Sequence, residues 1–79
     1  MTDDKYYYYL QDLGLLIKRY ALEAAKELRE KKEVDDNFHQ GVLAAYYRVI
    51  TLMQQQAEGF DINLSAIGLD DIDPDRDLG

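Results

Sequence analysis

Apolar residues recur with a helical period through most of this chain. From about Asp4 to Glu33, at about 100° per residue, Tyr6, Tyr9, Leu10, Leu13, Leu16, Ile17, Tyr20, Ala21, Ala24 and Leu28 fall within one arc of about 140°. Asp12, Arg19, Glu23, Lys26 and Glu30 lie largely outside it. The run from Ala21 to Lys32 is rich in helix-forming residues, and Lys31 and Lys32 suit the negative end of the helix dipole. Thr2 or Asp3 can cap the start, and Gly14 is a local cost of about 1 kcal/mol relative to Ala.

A second helix is predicted from about Asp36 to Glu58. Phe38, Val42, Leu43, Ala45, Tyr46, Val49, Ile50, Leu52, Met53 and Ala57 span an arc of about 180°. Asp35 or Asp36 is a suitable N-cap, and Gly59 is placed as the left-handed residue that ends the helix, with Phe60 folding back on Met53 or Gln56. The link, roughly Lys32 to Asp35, is short enough to force an antiparallel hairpin. A turn near Val34 would set Ala24 opposite Ala45, Tyr20 opposite Val49 and Ile17 opposite Leu52.

Composition changes at about Gly59. Residues 61–79 contain six Asp and one base, Arg76, and also the only proline, Pro74. Ile62, Leu64, Ile67, Leu69 and Ile72 recur there, a pattern that a disordered acidic tail lacks. The reading is therefore a hairpin over residues 1–60 and an acidic segment over 61–79. Residues 61–72 pack on the hairpin, with one short turn capped by Asn63 or Ser65 and ending at Gly68, while residues 73–79 fray.

Length then adds a constraint. A chain of 79 residues is one small domain with a thin core, and without cysteine it has neither disulfides nor thiolate zinc sites to support it. Each predicted helix has more apolar surface than one partner covers. Tyr8, Leu15 and Leu22, spaced by sevens, form a second stripe on helix one, and Leu43 and Tyr47 widen the arc of helix two. These five residues are the candidate interface of a homodimer that closes into a four-helix bundle, or else of a different protein partner.

Charge narrows the function classes. Sixteen acids against nine bases give a formal net charge of −7, which argues against nonspecific contact with nucleic acid or anionic membrane. No apolar run approaches the roughly 20 residues of a membrane span, and Met1-Thr2-Asp3-Asp4 does not open a secretory signal, so a cytoplasmic protein is expected.

Catalytic chemistry finds few candidates. His39, the only histidine, stands near Asp35 and Asp36 but has no nucleophile in a recognisable setting, and reads as a helix-start surface residue. Asp71, Asp73, Asp75 and Asp77 alternate like the opening of a calcium loop, yet Arg76 occupies the position that needs glycine and the chain lacks the bidentate Glu. Glu23, Glu27 and Glu30 share no Glu-x-x-His motif and read as surface partners of Lys26 and Lys31. Tyr6 to Tyr9 lack the basic groove that base stacking needs, and no glycine-rich phosphate loop occurs. The basic residues from Lys18 to Lys32 are interleaved with Glu.

The expectation is an all-α, non-enzymatic protein–protein interaction module without cofactor or metal, acting as an adaptor, regulator or accessory subunit. Its surfaces would be the apolar stripe and an acidic docking tail in which Ile72 and Leu78 anchor among Asp73, Asp75 and Asp77, facing a partner with a basic surface. The alternative is an acidic inhibitor or nucleic-acid mimic that occupies a basic cleft.

Overall fold

The computed structural model describes residues 4–30 and 37–79. Every regular element in them is helical: α1, Asp4–Glu30; α2, Asn37–Gly59; a 3-10 turn, Leu64–Ile67; and α3, a single turn at Pro74–Asp77. The two long helices pack against each other, and the C-terminal segment returns along them. The molecule is elongated, 53 × 21 × 18 Å. The expected caps at Thr2, Asp3, Asp35 and Asp36, and the link itself, lie outside the described residues.

Burial on the two helices follows a different line from the centre of their apolar arcs. On α1 the buried residues are Gly14, Ala21 and Ala25; on α2 they are Ile50 and Ala57. Relative to the arc centres, burial turns by about 90° on α1 and about 60° on α2. Tyr20 is 53% exposed, Val49 41% and Leu52 59%, and Ala45 is exposed, so the crossing expected from a turn at Val34 is not the packed seam. Small side chains explain the shift. Gly14, Ala21 and Ala25 share one narrow face of α1 and allow close approach, whereas a seam of tyrosines would hold the elements apart.

That close approach serves the C-terminal segment. The core is Ala21, Ala25, Ile50, Ala57, Ile67, Leu69, Ile72 and Leu78, and four of these eight come from residues 61–79. Three of the remaining four are alanines, so the tail supplies most of the branched apolar volume. Burying such side chains is the main favourable term in folding. The tail is therefore a third layer of the fold.

Its path is set by two left-handed residues. At the end of α2 the Ile62 amide donates to the Ala57 carbonyl (2.7 Å) and the Asp61 amide to Glu58 (3.1 Å), a Schellman closure with Asp61 at φ 61°. The expected role of Gly59 thus falls two residues later, and Gly59 is the last residue of the helix. The short turn does end at Gly68, at φ 73°, where the Leu69 amide reaches back to Leu64 (3.0 Å). Asn63 precedes that turn without a side-chain cap.

Residues 73–79, expected to fray, contain a capped helical turn. The Asp73 carboxylate accepts from the amides of Asp75 (3.0 Å) and Arg76 (3.4 Å), Pro74 opens the turn, and the Asp77 carboxylate accepts from the Asp73 amide (2.9 Å). The turn delivers Leu78 to the core at 4% exposure.

Candidate interaction surfaces

The expected docking tail is engaged within the chain itself. Ile72 and Leu78, the expected anchors for a partner, are buried at 6% and 4% exposure. Asp73 caps α3. Asp75 accepts a hydrogen bond from the Tyr47 hydroxyl. Asp77 is held by Arg76, whose Nε and a terminal nitrogen each donate at 2.9 Å. The Arg76 guanidinium and the Asp73 amide pull the Asp77 carboxyl down to about 2. The same carboxylate holds the Arg76 guanidinium above its ordinary value. Tyr47 is pushed up, chiefly because its hydroxyl donates to Asp75 and then by the charge of that carboxylate.

Three side chains that the pattern of apolar residues does not single out fasten the tail. Lys18 reaches Asp71 at 2.7 Å, and this hydrogen bond lowers the Asp71 carboxyl. Lys18 is only 17% exposed, so its aliphatic stem lies in the groove and its ammonium emerges beside the tail. Gln54 Nε2 donates to the carbonyls of Leu69 (3.1 Å) and Ile72 (2.9 Å), the two buried residues on either side of the exposed Asp70-Asp71 pair. Gln11 makes a longer contact with the Ser65 carbonyl, 3.4 Å. The uncharged run Gln54-Gln55-Gln56 was the available signal for Gln54.

The five candidate interface residues separate into two groups. Tyr8, Leu15 and Leu22 are 61%, 42% and 41% exposed along one side of α1, where Leu15 and Leu22 border a shallow hollow with Lys18, Arg19, Glu23 and Lys26. Leu43 and Tyr47 are half-buried against the core and border the seat of Leu78 together with Leu28. They belong to the packing of the tail and not to the Tyr8 stripe.

A broader apolar surface lies on the other side of the hairpin. Tyr6, Tyr9 and Tyr20 of α1 are 62%, 63% and 53% exposed, and Phe38 and Leu52 of α2 are 75% and 59% exposed. Relative to the buried seam, these positions lie in the same rotational direction on each helix. In an antiparallel pair that places them on a common face. The tail is fastened by Lys18, Gln54 and Tyr47, which lie in the opposite direction. One face of the hairpin is covered by the chain itself, and the other carries bare aromatic and aliphatic side chains.

His39 packs edge-to-face on Phe38, ring centroids 5.4 Å apart. No group of three or more metal-ligating side chains occurs among the described residues, and no helix among them is long and apolar enough to cross a membrane. The chain matches no protein-family model, no curated protein and no solved structure.

Proposed function

We propose that this chain is a small non-enzymatic protein–protein interaction module, an adaptor, regulator or accessory subunit that works through the exposed apolar surface of its helical hairpin. The observation behind this reading is the exposure of Tyr6, Tyr9, Tyr20, Phe38, Leu52 and Phe60, each more than half accessible in a chain whose buried core contains three alanines. Aromatic side chains give large contact area at low entropic cost and are enriched in interfaces. A contiguous patch of them marks a surface that is covered in use. Self-association into a four-helix bundle is the assembly that this reading favours.

The acidic tail has a supporting role in this reading. It braces the hairpin so that the opposite face is presented on a rigid scaffold.

The test combines apolar-dye binding with solution mass across a dilution series. A chain that self-associates, or that stays monomeric and binds the dye strongly, agrees with an interaction surface. A chain that remains monomeric and excludes the dye at all concentrations overturns it.

A further inference from the structure

We propose that the bare face opposite the tail is a two-fold self-association surface: a second copy of this chain covers Tyr6, Tyr9, Tyr20, Val49 and Leu52, hairpin against hairpin, to complete a four-helix bundle. The inference rests on the interaction reading above and specifies its partner and its face.

Charge distribution is the first argument. Seen down the helix axis, the α2 residues on this face are Phe38, Ala45, Val49, Leu52 and Gln56, with no charge among them; on α1 the charged residue within the described part of the face is Glu27. The chain as a whole has a net charge of −7. Two copies of so acidic a protein repel each other through any surface that displays its carboxylates, and like charges at a contact cost several kcal/mol. The bare face is the side from which that repulsion has been removed. A basic partner would be met by complementary acids, and this face offers almost none.

Area is the second argument. Taking about 200 Å² for a fully accessible large side chain, Tyr6, Tyr9, Tyr20, Phe38, Val49 and Leu52 together expose on the order of 700 Å². A standard stable interface buries about 800 Å² on each partner. The Tyr8–Leu15–Leu22 ridge has three large apolar residues beside Arg19, Glu23 and Lys26, and falls well short of that area.

Shape is the third. Helices of 27 and 23 residues are about 40 and 35 Å long, and the exposed apolar positions of this face run from Tyr6 to Tyr20, about half of α1, and from Phe38 to Leu52 on α2. A two-fold contact can therefore engage the extended face that these residues share, since an isologous interface needs only one self-complementary patch.

Sedimentation equilibrium of the intact chain and of single variants tests this directly. The intact chain should give twice 9.2 kDa. Leu52→Glu and, separately, Tyr20→Glu should each weaken the dimer by at least about a hundredfold, with helicity retained because both sites are exposed. Leu22→Glu, on the other side, should leave it dimeric. If a glutamate variant loses helicity, Leu52→Gln, which adds no charge, replaces it and should still weaken the dimer. A monomeric intact chain, a dimer indifferent to both face variants, or a dimer broken by Leu22→Glu overturns the proposal. A monomer that binds apolar dye overturns this face as a dimer contact while leaving the interaction reading intact, whereas a monomer that excludes the dye overturns both.

Discussion

Gly14 in the middle of α1 lies directly against the backbone of Ile67 in the tail. A Cβ added at Gly14 would stand 2.9 Å from the Ile67 carbonyl carbon, and nearer still to its oxygen. The opposing Gly68 is equally confined: a Cβ there would meet the Gln11 carbonyl oxygen and Leu15 Cγ, each at 2.9 Å, and its φ of 73° is one that other residues rarely adopt. Helix and tail therefore approach backbone to backbone through a pair of glycines, and this contact sets the depth at which Ile67 and Leu69 enter the core.

Gly14→Ala is expected to destabilise the protein by about 2 kcal/mol or more, despite the better helix propensity of alanine, because the obstructing atoms are backbone and cannot rotate away. Gly59→Ala is the control. Nothing lies within 4 Å of a Cβ at Gly59, so the substitution should stabilise by up to about 1 kcal/mol. Urea unfolding followed by circular dichroism measures both. Equal effects of the same sign would show that the tail does not sit against Gly14.

Truncation at the C-terminus should be costly. Removing residues 73–79 takes away Leu78 together with the α3 cap, and Leu69→Ala leaves a cavity at a site with no exposure. Each is expected to lower stability by about 2–5 kcal/mol. Hydrogen exchange should show α1 and α2 losing protection along the covered face. A truncated chain with unchanged stability would return the tail to the role of a free docking peptide.

These outcomes bear on what the sequence reveals about itself. The two long helices, their antiparallel order and the turn ending at Gly68 all follow from apolar period, chain length and glycine placement. The rotation of the seam does not, because both apolar arcs are wider than any single contact, and period alone cannot choose among the lines within them. The choice was made by small residues, and Gly14 looks like a defect until the tail is seen against it. The alternating Asp residues were also ambiguous. Asp73-Pro74 is a cap with proline at the first helical position, a local signal present in the sequence but overshadowed by the acidity of the segment. Lys18 fastens the Asp71 carboxylate and Gln54 the Leu69 and Ile72 carbonyls, all distant in sequence, so no local pattern announces the partner of either.

Gln54→Ala should separate bracing from burial. Its amide satisfies the carbonyls of Leu69 and Ile72, and its loss leaves both without that donor, at an expected cost of about 1–3 kcal/mol. Gln55→Ala, at an exposed neighbouring position, should change stability by less than about 0.5 kcal/mol. Thermal unfolding of the two variants makes the comparison, and matching melting temperatures would remove Gln54 from the account.

Acid should loosen the tail through Asp77 and Asp71. Both carboxyls sit below their ordinary value of 3.8, Asp77 at about 2, held down first by hydrogen bonds from Arg76 and Lys18 respectively. A lowered folded-state value means that the folded protein binds protons less readily than the unfolded chain. The stabilisation from Asp77 is therefore complete above about pH 4 and is lost as pH falls through about 2, and that from Asp71 is lost as pH falls through its own lowered value. Asp77→Asn should flatten that part of the pH dependence, measured as the unfolding midpoint against pH, and a slope unchanged by the substitution would assign acid sensitivity elsewhere.

Tyr47 gives the corresponding test at high pH. Its hydroxyl donates to Asp75, which raises it above the ordinary 10.0, so the phenol form is favoured by the folded state. The sign is opposite to that of the carboxylates: the contribution is fully present below about pH 10 and disappears as pH rises through the higher folded value. Phenolate absorbance should then show one of the seven tyrosines titrating late in the native protein, and Tyr47→Phe should abolish that late step while leaving the helices formed. Loss of the tail contact should accompany the same titration, because a Tyr47 phenolate beside the Asp75 carboxylate exchanges a hydrogen bond for a repulsion. If all seven tyrosines titrate together in the folded protein, Tyr47 does not hold the tail.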